Sequence, residues 1–492
     1  MTAVSSSVVP DLCWSEMADL ISERVGGKVV SCNDEFFAEA TNLIKIGDPV
    51  WKPDEYTDRG KWMDGWETRR RRDKGHDWCV IELGIPGQVT QVTVDTSHFT
   101  GNFPEEFSLE GCGVGSDDRL GDAFWVELLP RTALRGDSVA RFDLKPSGRI
   151  TYVRLNIFPD GGVARLGVEG NPVPGLDGVC PEFGLVDLAS LASGGEPTDA
   201  SDAHYSPPSN MLRPTDPLGM WDGWETRRRR GPGNDWVVFK LGMAGLVREV
   251  VVDTRHFKGN APGWVSVSVS DDGKAWNEVL SRVEIEADSV NHVPLGSEIR
   301  ARLLKLDIHP DGGVARFRVM GMPDTESAAN KRLHYLNSLL GQSATGFFHT
   351  ACQSTRWVSS MLASRPFSTV GQVVEAAAVF FLELEEEDWL EAFAGHPRIG
   401  ERGDEIADRE QAGSRNADSA VLTALGELNS RYEKKFGFTY IVYATGKDAR
   451  EMLEIAQERI ENTRVTELEI ASREQQKITA TRLRRMLCIP EE

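Results

Sequence analysis

Hydrophobic and polar positions alternate along much of the chain before about residue 322. Runs such as QVTVDT, YVRLNIF, WVSVSVS and LLKLDIH place an apolar side chain at every second position. Gly, Pro and Asp bound them, the pattern of strands with one buried face. Beyond a polar linker at about 322–331 the period changes. In KDAREMLEIAQERIEN (447–462), Ala449, Met452, Ala456 and Ile460 fall on one helical face. VTELEIASREQQKITATRLRRML (465–487) continues the pattern through Leu468, Ala471 and Ile478. FGFTYIVYATG (436–446) interrupts it and reads locally as a strand. The expectation is an all-β part followed by a mainly helical one.

The β part contains itself twice. WMDGWETRRRR (62–72) returns as MWDGWETRRRR (220–230), so Trp66 and Trp224 stand 158 residues apart. The same offset relates Asp77 to Asp235, Asp95-Thr96 to Asp253-Thr254, His98-Phe99 to His256-Phe257 and Gly101-Asn102 to Gly259-Asn260. PDGGVAR (159–165) returns at 310–316, at offset 151, so the first copy holds seven extra residues between about 104 and 125. Upstream, Asp34 and Asn42 match Asp202 and Asn210 at offset 168. Each copy is the size of a domain rather than of a solenoid unit. The copies are placed at 15–175 and 196–322, joined by a linker at about 184–209, with the helical region at 332–492.

Composition narrows the partners. A net charge of −21 over 492 residues argues against nucleic acid, whose phosphates call for a positive field. The 7 cysteines, at 13, 32, 79, 112, 180, 352 and 488, show no C-x-x-C spacing, which argues against a disulfide framework or zinc finger and for a reducing compartment. No leader is read in MTAVSSSVVPDL, and no apolar run approaches the roughly 20 residues of a membrane helix. The expectation is a cytoplasmic protein with small-molecule substrates, no membrane partner, and a surface compatible with a homo-oligomer.

DGWETRRRR is the sharpest motif. In an extended segment alternate arginines face opposite sides, so two of each four can converge on one site. There their planar forks would suit a carboxylate. The competing structural reading is an ion-pair lattice tying Glu67 and Glu225 to arginines. DTxHFxGN sets His98 and His256 just after a strand, where loops carry function. PDGGVAR carries a turn that requires positive φ and is read as structural. In the helical part, Gly395 is expected to end a helix and His396, before Pro397, to stand outside it. Glu410-Gln411 offers a carboxylate beside an amide. Arg482, four residues after Ile478 and seven after Gln475, falls on an inward face, where it needs a partner charge.

At these residues the resemblance becomes specific. DGWETRRRR, DTSHFTGN and FPDGGVARL resemble the allantoicase family over about residues 15–322. The resemblance implies two all-β sandwich repeats (jelly-roll, galactose-binding-like) that hydrolyse allantoate to ureidoglycolate and urea. Asp64, Glu67, Arg69 and His98 are the candidates in the first copy, with Asp222, Glu225, Arg227 and His256 in the second. Arginine would clamp the substrate carboxylate, while a carboxylate or histidine would assist departure of urea and activate water. His, Asp and Glu side chains could hold a divalent metal, but no spacing demands one and no cofactor is expected.

CQSTRW (352–357), RPF (365–367), AFAGHPRIG, EQAG, FGFTYIVYA and Arg482-Leu483 resemble the OHCU decarboxylase family over about 333–488. This family acts on 2-oxo-4-hydroxy-4-carboxy-5-ureidoimidazoline. It implies an all-α bundle, so that FGFTYIVYA should be extended without being a sheet strand. It also implies catalysis by His396, contacts from Glu410 and Gln411 to the ureido-imidazoline, an Arg482 anchor, and (S)-allantoin as product. Both activities belong to purine catabolism but are not adjacent, because a ring-opening allantoinase lies between them. The rival reading makes the β repeats a non-catalytic, carbohydrate-binding module. Twice-kept Asp, Glu and Arg side chains, which a sugar-stacking site does not require, count against it.

Overall fold

A computed structural model describes residues 18–114, 120–175, 178–180, 184–398 and 419–490, arranged as two compact units, Met1–Leu340 and Gly341–Glu492. The first unit is built on two strands of 19 residues, Asp77–Asp95 and Asp235–Asp253. Burial along Asp77–Asp95 alternates, as it must for a strand with one face on a core. Its first half pairs antiparallel with Arg149–Phe158 and Lys28–Cys32, its second half with Arg165–Pro172 and Val139–Asp143.

The partners change around Gly84-Ile85-Pro86-Gly87. A Cβ on Gly84 would stand 2.4 Å from the Val25 carbonyl oxygen, and one on Gly87 2.4 Å from that of Asn171. Only glycine lets the strand turn beneath neighbouring backbone here. Ile81 and Leu83 from one half, and Val89, Val92 and Val94 from the other, then meet Trp66, Leu155 and Val168 in a single core. The second copy follows the same plan, with Asp235–Asp253 paired to Val290–His309, Arg316–Pro323 and Glu196–Ala200.

Two connecting stretches differ from the sequence reading. The expected linker at 184–209 opens the second copy instead. Val186–Asp187 pairs with Arg316–Pro323 as Ala18–Asp19 pairs with Arg165–Pro172, and Glu196–Ala200 joins the long strand. Its Gly, Pro and Ser content serves tight turns within a sheet rather than a tether. The second polar stretch is helical from Thr325 to Ser338, started by the Asp324 side chain, which accepts from the Ser327 amide. That helix belongs to the β unit. Tyr335 lies under the Arg149 guanidinium of the first copy at 5.2 Å, and the Leu340 side chain fills the space a Cβ on Gly148 would need.

In the second unit the described elements are helices: Gly341–Ala351, Thr355–Ala363, Val370–Leu382, Glu386–Ala394, Ser419–Phe436, Ala449–Arg459 and Arg464–Met486. The periodic residues Ala449, Met452, Ala456, Ile460, Leu468, Ala471 and Ile478 are all in the core. Phe436 closes the helix Ser419–Phe436, and residues 437–444 of FGFTYIVYA then run through that core outside any helix and with no ladder partner, as the all-α expectation requires. Side chains satisfy its backbone in place of a neighbouring strand. Arg459 Nη1 donates to the Ile441 carbonyl at 2.9 Å, and the Tyr443 amide donates to Glu474 Oε2 at 2.8 Å. The same Arg459 pairs with fully buried Glu467, which also accepts from Tyr432 and Asn462. Among the described residues no helix is long and apolar enough to cross a membrane.

Candidate functional site

Trp66 fixes the first motif. Its ring is fully buried and donates to the Asp34 carbonyl at 2.8 Å, while Asn42 donates to the Gly65 carbonyl at 2.8 Å. Trp224, Asp202, Asn210 and Gly223 repeat both bonds, at 2.8 and 2.9 Å. The arginines that follow alternate as an extended segment requires. Arg69 Nε meets Asp34 Oδ2 at 2.6 Å, and Arg71 Nε meets Asp77 Oδ1 at 3.0 Å. In the second copy Arg227 meets Asp202 at 3.0 Å, and Arg229 pairs with Asp235. Arg70, Arg72, Arg228 and Arg230 are exposed. Burial alone would raise the Asp34 carboxyl, but hydrogen bonds from Arg69 and the Phe36 amide hold it below the usual carboxylate range.

The lattice therefore runs through Asp34, Asp77, Asp202 and Asp235, and not through Glu67 and Glu225 as the structural reading expected. Glu67 sits on a two-residue strand pinned to Gly162–Val163, and its Oε1 accepts from Asn102 Nδ2 at 2.7 Å. Glu225 and Asn260 repeat the contact at 2.7 Å. Burial pushes the Glu67 carboxyl up, and the Asn102 bond offsets only part of that. The glycines of the PDGGVAR turn hold this register. Gly161 and Gly312 have φ of 143° and 133°, and a Cβ on Gly161 would lie 2.6 Å from the Pro104 nitrogen.

Asp64 and His98 converge on one loop. Asp64 Oδ2 accepts from the Val50 amide at 2.9 Å and from Arg165 Nη2 at 2.8 Å, while His98 Nε2 lies 3.1 Å from the Pro49 carbonyl oxygen. Hydrogen bonds from Arg165 and Val50 outweigh burial and hold the Asp64 carboxyl low. Asp222, Arg316 and His256 hold Pro217 and Leu218 in the same way. Both histidines adopt left-handed backbone, with φ of 71° and 73°, fixed by bonds from their amides to Asp137 and Asp288. A non-glycine residue there stores on the order of 1–3 kcal/mol, a hallmark of positions under functional constraint.

The copies differ around that loop. Asn42 and Trp66 are 24 residues apart, whereas Asn210 and Trp224 are 14 apart. The extra residues of the first copy form a hairpin, Tyr56–Thr57 with Gly60–Lys61. Beside it Trp51 stacks on His98 with ring centroids 5.5 Å apart, and Lys61 lies over Trp51 at 4.6 Å and Tyr56 at 5.1 Å. In the second copy a short turn, Met220–Asp222, takes its place. There a second arginine, Arg213, closes on Asp222, which is 0% exposed against 9% for Asp64. Position 45, equivalent to Arg213, is lysine. Arg69 stands apart from Asp64 and His98, in a cleft of about 300 Å³ lined by Cys32, Asn33, Asp34, Glu35, Phe36 and Arg59.

In the helical unit, Glu386–Ala394 ends at Gly395, as expected, but in right-handed conformation (φ −79°). Glycine is needed there for close approach, since a Cβ would stand 2.1 Å from the Gln353 side chain. His396 follows, half-buried, with Nε2 2.7 Å from Gln475 Oε1. Gln475 Nε2 donates to Thr479 Oγ1 at 3.2 Å, and one turn further Arg482 Nη1 donates to the Thr350 carbonyl at 3.3 Å. Thr479 is hydrogen-bonded to Cys352, whose thiol burial pushes up to about 11. Glu410 and Gln411 lie outside the described residues. Among the described residues no three His, Cys, Asp or Glu side chains gather as metal ligands.

Sequence reasoning assigned no role to Asn102, Asn260 or Gln475. The two asparagines carried a signal, being conserved between the copies at the offset of the glutamates they bind. Gln475 carried none beyond its inward helical position.

A family model for the allantoicase repeat matches residues 18–173 and 186–324, and one for OHCU decarboxylase matches 337–484. The chain is 40% identical over 342 residues to a probable allantoicase of Streptomyces avermitilis, covering 66% of this chain and 90% of that one. The crystal structure of Saccharomyces cerevisiae allantoicase is 33% identical, with a TM-score of 0.53, covering 62% of this chain and 92% of that one. A crystal structure of OHCU decarboxylase in the presence of (S)-allantoin is 35% identical, with a TM-score of 0.26, covering 28% of this chain and 96% of that one.

Proposed function

Because the chain belongs to the allantoicase family through its duplicated β part and carries an OHCU decarboxylase domain behind it, we propose that the two conserved Glu–Asn pairs and the His396–Gln475 pair are its catalytic centres. The β part hydrolyses allantoate to ureidoglycolate and urea, and the helical domain decarboxylates OHCU, two steps of purine catabolism. A carbohydrate-binding role for the repeats is not favoured.

Hydrolysis joins a water oxygen to the carbon bearing both ureido groups and breaks one of its C–N bonds, and the departing nitrogen takes up a proton. The observation that carries the assignment is Glu67. It is a half-buried carboxyl with a raised pKa, held by a neutral amide rather than a cation. Such a group keeps its proton closer to neutral pH and can hand it to the leaving urea. Arg69 and Arg227, anchored through Nε by Asp34 and Asp202 and otherwise exposed, clamp the substrate carboxylate. Asp64, Asp222, His98 and His256 shape the loop beside the site, and enclosed Asp222 positions it without touching substrate. In the decarboxylase His396 moves the proton, Arg482 anchors a polar end of the ring, and Glu410 and Gln411 contact the ureido-imidazoline. Protonation on one face gives (S)-allantoin.

The test is urea release from allantoate by the purified chain, with Glu67→Gln, Glu225→Gln and His396→Asn variants. Urea release that survives His396→Asn and falls with a glutamate variant is expected. Full activity in both glutamate variants would overturn the assignment.

A further inference from the structure

The contact between His396 and helix Arg464–Met486 has a direction. Gln475 presents an acceptor, Oε1, to His396 Nε2 at 2.7 Å. Its orientation is set from behind, because its amide nitrogen donates to Thr479 Oγ1, and the Thr479 hydroxyl is hydrogen-bonded in turn to Cys352. Gln475 is fully buried, and Thr479 and Cys352 nearly so. Rotating the amide would face its NH2 group to the ring and require the Thr479 hydroxyl to donate where it now accepts. An acceptor at 2.7 Å requires a proton on His396 Nε2. In the neutral ring Nδ1 therefore carries the lone pair.

We propose that Gln475 is a positioning residue that selects the Nε2–H tautomer of His396 and so makes Nδ1 the nitrogen that exchanges a proton with the decarboxylated ring. The proposal rests on the reading of His396 as the catalytic histidine. The base that takes or gives the proton is Nδ1; Nε2 keeps its hydrogen throughout and only lends it to Gln475. A neutral amide in this place leaves the ring free to cycle between imidazole and imidazolium, where a carboxylate would hold it charged. Among the described residues, the Cys352 thiol behind Gln475 feels the charges of Arg482 and Glu391, and Arg398, two residues after His396, is paired bidentately with Glu433.

The experiment uses the full chain. The ¹⁵N resonances of the histidine rings are recorded, with His396→Asn identifying those of His396. An Nε2–H tautomer at neutral pH is expected, and an Nδ1–H tautomer would overturn the proposal whatever the activity. Decarboxylation of OHCU is then followed against pH. Gln475→Glu should move the limb of the kcat profile governed by His396 upward by about one unit or more, since a carboxylate favours imidazolium. Gln475→Leu should lower kcat on the order of 10- to 100-fold with little change in KM, because the ring loses its orientation. A kcat profile unmoved by Gln475→Glu sinks the positioning role. A wild-type chain with the expected tautomer and no decarboxylation would instead sink the functional reading beneath it.

Discussion

The two β copies share a sequence motif, a core tryptophan, an arginine lattice and a Glu–Asn pair, yet they treat one aspartate in opposite ways. In the first copy Asp64 holds its loop with one arginine and the Val50 amide, and Trp51, beside the hairpin, stacks on His98. In the second, Asp222 is sealed between Arg213 and Arg316 with no hairpin above it. The second copy holds a buried ion pair that would leave a stranded charge if either partner were lost, whereas the first has a more open aspartate and an aromatic cover beside its histidine.

The largest effect expected is on chemistry. Glu67→Gln should lower kcat/KM for allantoate on the order of 10²- to 10⁴-fold, as removal of a general acid does, and Glu225→Gln should lower it less. Equal losses, read by urea release, would erase the functional side of the contrast. Next comes stability. Asp222→Ala strands Arg213 and Arg316 in the interior and should cost about 3–5 kcal/mol in denaturant unfolding of the β unit. Asp64→Ala should cost less than half of that, and the reverse order would break the comparison.

The acid limb is a finer discriminator. Asp64 is depressed in the folded state, so it contributes stability above its unfolded pKa and loses that contribution as pH falls through the folded value. Glu67 is raised, so any favourable contribution is present below its unfolded pKa and lost as pH rises through the folded one. Asp64→Asn should therefore flatten the fall in unfolding midpoint toward acid pH, while Glu67→Gln should raise stability at neutral pH relative to acid. The smallest effect is assigned to the cover. Trp51 is 45% exposed, so Trp51→Ala should shift stability by no more than about 0.5 kcal/mol and raise KM for allantoate a few-fold in steady-state assays.

Much of this was legible in the chain because duplication acts as an internal control. A histidine or glutamate kept at one offset stands out, and the alternation of the arginines follows from strand geometry alone. The partners of Asp64 and His98 were not legible. They are backbone groups of Val50 and Pro49, and no side-chain pattern marks which carbonyl a folded loop will turn inward. The same holds for His396 and Gln475, brought together across 79 residues by helix packing. The polar stretch after Met322 read as a linker because its composition is hydrophilic, yet its helix buries Ala328, Ala329, Leu333 and Leu336.

That helix, Thr325–Ser338, bears on where one gene ends and the other begins. By residue matches the two families meet between 324 and 337, and the seam looks like neutral spacer. By architecture the seam is at Leu340, because Tyr335 and Leu340 are held by Arg149 and Gly148 of the first copy. A stop codon after residue 324 would truncate the β unit, while one after 340 would release it whole. The β unit thus carries its own closing helix and ends at Leu340, sixteen residues past residue 324, the last that its family match covers.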